Sequence, residues 1–262
     1  MNSSRLPQKN NAVGTLPPTD RTAWLKGGKK TCLTPPRKLA AKPWRIILLG
    51  VPGIGKSTQA KLLCERLGTC HLSIRDIFHA ASSYPKEELT PAIQNALDCL
   101  KRGEIVPDET VLNLVGERLR CLNCSGGFLL DGFPRTVAQA KALEQWLENQ
   151  DIKLSGVFHY VLPDLARILR IANRRVCSHC NTVYHLDTQP PKAADTCDHC
   201  GGNLLQHEDD HPEAIQMRME AYQKSTEPLT AFYRQHGLLM EISAAGSPEE
   251  VCERTQLSAL AC

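Results

Sequence analysis

No apolar run in this chain approaches the roughly 18 residues that a membrane-spanning helix needs, so a soluble protein without a membrane partner is expected. The first residues also lack the apolar stretch of a secretory signal. Twelve cysteines spread over 262 residues are too sparse for a small disulfide scaffold, and a reducing, cytoplasmic setting is the simplest reading. Acidic residues are scarce at the start: residues 1–45 hold ten Lys/Arg against Asp20 alone, a net +9, while the remainder holds 21 basic and 27 acidic residues, a net −6. The overall +3 therefore carries no signal for nucleic acid, and basic–aromatic interleaving is missing as well. No nucleic-acid partner is expected, and the chain is read as a monomer.

Residues 1–43 combine prolines, glycines and many basic residues with no apolar period, which predicts a disordered extension. Their lack of acids also suits an organelle transit peptide, which would place the protein in an organelle matrix, although no amphipathic Arg-rich helix is evident. From Arg45 onward, short apolar runs alternate with helical periods. Ile46-Ile47-Leu48-Leu49 reads as a buried parallel strand ending at a glycine. Ala60, Leu63, Cys64 and Leu67 then recur at helical spacing before Gly68. Further strands fit Cys70 to Ser73, Phe128 to Leu130, Gly156 to Leu162 and Leu238 to Met240. Helices fit Ile93 to Leu100, a stretch capped by Asp108 and running to about Cys121, residues 164–173, a long stretch opened by Asp210 and Pro212 and bent at Pro228, and a last one from Pro248. This alternation predicts an α/β domain over 44–262 with a doubly wound sheet of about five parallel strands and ligands at the strands' carboxyl ends.

Gly50-Val51-Pro52-Gly53-Ile54-Gly55-Lys56-Ser57 fits the pattern G-x-x-x-x-G-K-[ST] and sits between a predicted strand and a predicted helix. Glycines such as Gly53 and Gly55 let the backbone bend until successive N–H groups face one anion, and the helix that follows adds its positive end. Lys56 is placed to reach the β- and γ-phosphates. Ser57 or Thr58 can hold Mg²⁺ or its waters. The bland alternative, a glycine-rich turn with a surface lysine, does not need the whole pattern in this context.

Three further blocks narrow the reading. Asp131-Gly132-Phe133-Pro134-Arg135-Thr136, with Gln139, follows the third strand; Asn173-Arg174-Arg175 precedes a cysteine-rich interval; Asp209-Asp210 and Arg218 follow it. Together with Gly50 to Gln59 they resemble the adenylate kinases in order and spacing over about residues 44–258. The resemblance implies a P-loop NTPase fold with a helical monophosphate-binding segment at about 74–103 and a lid at about 174–211. It implies that Arg135 clamps the monophosphate and that Gln139 reads the adenine edge of AMP. Ser73, Gly132 and the backbone of Glu104, Ile105 and Val106 would line the same pocket. Asp131 would hold waters of Mg²⁺, Arg174 and Arg218 would converge with Lys56 on the transferring group, Arg170 would pack on the ATP adenine, and Val183 and Tyr184 would approach ATP. The distribution also makes sense physically. Phosphoryl transfer needs two polyanions held in line and their spreading charge neutralised, and planar guanidinium forks grip phosphate oxygens in pairs.

Cys177-x2-Cys180 and Cys197-x2-Cys200 have zinc-ribbon spacing: two tight pairs bring four thiolates to one tetrahedral centre, closed to catalysis and therefore structural. Two disulfides or four inert thiols are the alternatives. Some members of the resembled family carry such a zinc lid. Cys121-x2-Cys124 has no second pair at suitable spacing and reads as chance.

The chain departs from the family's pattern at four places. Ile74 stands where a threonine is usual and Arg75 where a glycine is; His79 and His207 replace phosphate-binding arginines. Histidine is largely neutral near pH 7, so these changes bear on monophosphate affinity, and Arg75 is a candidate to compensate. The reading these motifs support is MgATP + AMP ⇌ 2 ADP. Its rivals are the same chemistry on UMP, CMP or dAMP, and a nucleotide-binding regulatory protein with weakened catalysis.

Overall fold

A computed structural model describes residues 21–27, 30, 32, 42–102, 106–163, 173–180, 182–187, 189–206 and 212–260. The first helix, α1, is the short Thr22–Lys26. This overturns part of the expected disordered extension: over Arg21 to Gly27 the chain is folded, with Ala23 and Trp24 buried. Burying an indole removes about 150–250 Å² from water, on the order of 4–6 kcal/mol before ordering costs, enough to seat a helix too short to stand alone.

Strand β1 (Trp44–Leu49) leads into helix α2 (Lys56–Leu67), strand β2 (Cys70–Ser73) and helices α3 (Ile74–Ala81), α4 (Pro91–Lys101) and α5 (Asp108–Gly116). Strand β3 (Gly127–Asp131), helix α6 (Val137–Glu148) and strand β4 (Gly156–Val161) follow. Three short strands, β5 (Arg174–Cys177), β6 (Val183–His185) and β7 (Leu204–Leu205), form a separate antiparallel sheet with β5 in the middle. The chain closes with α7 (Pro212–Ser225), α8 (Pro228–Gln235), β8 (Leu239–Ser243) and α9 (Pro248–Leu260). The helix expected at 164–173 lies outside the described residues up to its last position.

The main sheet has the order β2-β3-β1-β4-β8, with every pairing parallel. Alternate residues of β1 serve opposite faces. Ile47 and Leu49 pack with Leu72, Leu130, Ile77, Ile93, Leu114 and Leu143, while Ile46 and Leu48 pack with Leu63, Leu129, Phe158, Ile242 and Val251. A sheet buried on both sides needs apolar residues at every position, which is why β1 reads as an unbroken run. The connection leaving β1 goes to one side and the one leaving β3 to the other. The crevice this opens lies at the carboxyl ends of those strands, at Gly50 and Asp131.

Two local expectations change. The long helix is broken rather than bent: it ends at Ser225, the amides of Thr226 and Glu227 both bond to the Tyr222 carbonyl, and Pro228, which lacks an N–H, starts α8 instead. Asp108 is not a cap. Pro107 occupies that position, and the Asp108 carboxylate turns toward α6. No described helix is long and apolar enough to cross a membrane.

Candidate active site

The turn between β1 and α2 is built by glycines in conformations that side chains resist. Gly50, Gly53 and Gly55 have φ of 142°, 77° and 105°. A Cβ on Gly50 would also meet the Tyr160 carbonyl oxygen at 2.9 Å, so the loop lies directly on β4. Lys56, first residue of α2, folds its ammonium back into this loop and donates to the carbonyls of Gly50 (2.6 Å) and Val51 (2.9 Å).

Across the crevice, Asp131 closes β3 and is buried. The Ser57 hydroxyl donates to its Oδ2 at 2.8 Å, and Nε2 of His71, on β2, lies 3.5 Å from the same oxygen. Burial pushes the Asp131 carboxyl up, yet His71, Lys56 and Ser57 outweigh it and hold the pKa below its ordinary value. Burial pushes Lys56 the other way, down to about 8, with Asp131 opposing and the positive charges of Arg135 and Arg218 adding to the fall. Arg135 in turn sits in the fields of Asp131 and Arg218. A glycine loop, a strand end, the loop after it and α7 thus deliver three cations and one carboxylate to a single place.

The loop carrying Arg135 is braced from below. Gln139 is 2 % exposed; its Oε1 accepts from the Arg135 amide at 2.8 Å and its Nε2 donates to Asp108 at 2.7 Å, while the Thr136 hydroxyl donates to the second Asp108 oxygen at 2.7 Å. The Arg135 guanidinium bonds the Gly132 carbonyl through Nε at 3.0 Å.

The four cysteines of the small sheet meet. Their sulfurs all lie within 4.8 Å of one another, with Cys177–Cys200 and Cys180–Cys197 both at 3.5 Å. Those separations are too long for disulfides and close to the ~3.8 Å edge of a tetrahedron with 2.3 Å zinc–sulfur bonds. Backbone amides of His179 and His199 point at the sulfurs of Cys177 and Cys197, each at 3.4 Å, as suits sulfur carrying negative charge.

A sequence profile described as adenylate kinase matches residues 48–238, which includes the loop, the Asp131 block and the cysteine sheet. The chain belongs to the adenylate kinase family. Its relatives include an adenylate kinase of Carboxydothermus hydrogenoformans, 41% identical over 207 residues, which are 79% of this chain and 95% of that protein. An adenylate kinase of Archaeoglobus fulgidus is 41% identical over 206 residues (79% and 93%), and one of Citrifermentans bemidjiense 43% over 206 (79% and 94%).

Within this family framework the sequence-derived residues fall into three groups. Gly53, Gly55, Lys56, Ser57, Asp131, Gly132, Arg135 and Arg218 gather at the crevice. Ser57 and Thr58 are both exposed on α2, and of the two candidate hydroxyls Ser57 is the one bonded to Asp131. Ser73, Arg75 and His79 border the crevice on the β2–α3 side: Ser73 is buried and its hydroxyl caps α3 by accepting the Asp76 amide at 3.2 Å, while Arg75 and His79 are exposed. Val106 packs against the core.

Arg174, Val183 and Tyr184 ride on the small sheet, Arg174 opposite His185. The Tyr184 ring lies in the sheet's interior, its hydroxyl 3.5 Å from the Cys197 sulfur and accepting the Asp198 amide at 2.8 Å, so this side chain packs within the small sheet. Glu104, Ile105, Arg170, His207, Asp209 and Asp210 lie outside the described residues. His71 escaped the sequence reading, and Asp108 entered it only as a helix cap. The available signal was a histidine inside a fully buried four-residue strand, which needs a polar partner.

The lowered Lys56 pKa gives a prediction. A bound triphosphate restores the full ammonium charge, so ATP binding around and above pH 8 takes up protons, and affinity falls as pH rises through about 8. Calorimetric titration in two buffers of different ionisation enthalpy checks it; proton release, or none, contradicts it.

Proposed function

We propose that the protein transfers the γ-phosphoryl group of MgATP reversibly to AMP, giving two ADP. The observation that carries this is the convergence of Lys56, Arg135 and Arg218 around Asp131 from separate elements. Such a cluster has no packing purpose, since like charges held together cost energy until a polyanion joins them. Lys56 and the loop amides bind the β- and γ-phosphates. Arg135, braced by Gln139 and Asp108, holds the monophosphate opposite, with Arg218 covering the charge that spreads between them. Arg75 is exposed on the first turn of α3 and makes no hydrogen bond or ion pair with a described residue, so it is available to stand in for the arginine that His79 replaces.

Asp131 and Ser57 form a hard-oxygen pair that fits Mg²⁺ with its waters; the ion supplies charge neutralisation at the phosphates. Gln139 keeps a second N–H and a second lone pair after its present bonds, enough to read the base edge. The small sheet is the lid: it carries Arg174, and a zinc ion on Cys177, Cys180, Cys197 and Cys200 would make it rigid. Every group named comes from one chain, so a monomer suffices.

A coupled assay of ADP formation from ATP with AMP, UMP, CMP and GMP tests the reading. AMP is expected to exceed the others at least tenfold in kcat/KM, the discrimination that about 1.4 kcal/mol of base recognition provides. A preference for another monophosphate, or binding of both nucleotides without turnover, overturns it.

A further inference from the structure

We propose that residues Arg21 to Gly27 are a strap that positions the monophosphate-binding segment, with Trp24 as its positioning residue. The inference rests on the reading of Ser73 and α3 as part of the monophosphate site, and it concerns a stretch upstream of the family match at 48–238.

The contacts are of two kinds. On the segment side, Nε1 of the fully buried Trp24 donates to the Ser73 carbonyl at 2.9 Å, at the residue where the segment leaves the sheet. Arg21 pairs with Asp76 on the first turn of α3 at 2.5 Å and reaches the His71 carbonyl at 3.5 Å. Lys26 pairs with Glu88 at 3.1 Å and lies 4.1 Å over the Tyr84 ring. On the core side, Arg118, just past α5, is wholly buried and donates through Nε to the Trp24 carbonyl at 2.5 Å. The same guanidinium pairs with Glu117 at 3.1 Å, and Glu117 accepts the Thr90 hydroxyl at 2.6 Å. Thr90 precedes α4, so the network returns to the segment at its second helix.

The strap therefore grips the segment at its root and along α3, and is itself gripped by a buried cation of the core. The ion pairs with solvent access add little individually. The buried indole and the Arg118 bonds give the strap its direction. Its effect falls on one substrate. Arg75 and His79 stand on α3, and the side-chain bonds of Arg21, Trp24 and Lys26 go to β2, α3 and Glu88, whereas the phosphate loop hangs on β1 and α2. Loosening the strap thus spreads the monophosphate groups over several positions and weakens monophosphate binding, while ATP binding stays as it was.

The test is steady-state kinetics on the full chain and three variants: Trp24→Phe, Arg21→Ala/Lys26→Ala, and a chain lacking residues 2–27. Trp24→Phe keeps an aromatic ring and removes one buried donor, for which about a fivefold rise in the KM for AMP is expected. The double variant should give about a two- to threefold rise, and the truncation a rise of roughly tenfold or more, the KM for ATP staying within about twofold throughout. Amide exchange of residues 74–88 without nucleotide is measured in parallel and should quicken in the same order. Equal rises in both KM values, or unchanged exchange with an unchanged KM for AMP in Trp24→Phe, overturn the strap. If the wild-type chain turns over no AMP, the functional reading fails, and the exchange measurement still decides the strap. If the truncated chain does not fold, the two substitution variants decide it.

Discussion

Lys56→Met lowers kcat for ADP formation by about 10²- to 10³-fold, the usual loss when one pre-placed donor to developing charge is removed. Methionine keeps the length and most of the volume of the side chain and deletes only its charge and donors. The two carbonyls it served, those of Gly50 and Val51, belong to a loop at the crevice where water can replace it. Stability should hold or rise slightly, because burial already works against the ammonium and takes its pKa down to about 8. The prediction thus has two parts, a large fall in turnover and an unfolding midpoint no lower than wild type. A variant retaining kcat within about threefold would mean that Arg135 and Arg218 carry the charge alone, and the role given to Lys56 would be wrong.

The elements that position this site were legible because each is dictated locally. An unbroken apolar run followed by spaced glycines and a lysine has one structural solution, and β1, the loop and α2 adopt it. The same holds for Asp131, which ends an apolar strand, and for two Cys-x2-Cys pairs, whose spacing brings four sulfurs together whatever lies between. The illegible parts depend on partners far away in the chain. Five residues, Thr22 to Lys26, cannot display a 3.6-residue period, and Trp24 is held by Ser73 and Arg118, 49 and 94 residues further on. Asp108 looked like a cap because acids favour helix starts; Thr136 and Gln139, which took its oxygens instead, come from a helix roughly 30 residues later. Gln139 was read as a contact to the base, but its brace beneath Arg135 needed the loop's actual path. Pro228 marked an interruption without showing whether the helix would bend or restart.

Removing metal from the lid should produce the most selective damage. Among the described residues the lid's own core is Cys177, Tyr184, Cys197 and Leu204, two of which are themselves ligand candidates, so apolar burial alone cannot order it. Zinc on four thiolates supplies about 10–16 kcal/mol in small peptide folds, more than the rest of such a module provides. The purified protein should therefore contain close to one zinc per chain, and Cys197→Ser should lose it. Limited proteolysis should then cut between residues 178 and 206 while the sheet core stays intact, because among the described residues the small sheet is separate from the five-stranded one. Turnover should fall at least about 100-fold once Arg174 is no longer held, with ATP binding at the phosphate loop changed far less. Cys124→Ser is the control. Its sulfur lies 3.8 Å from that of Cys70, away from the lid group, and it should leave zinc content unchanged. A chain free of metal whose lid resists protease equally well would show that the four thiols are packing groups, held together by Tyr184 and the β5 ladder alone.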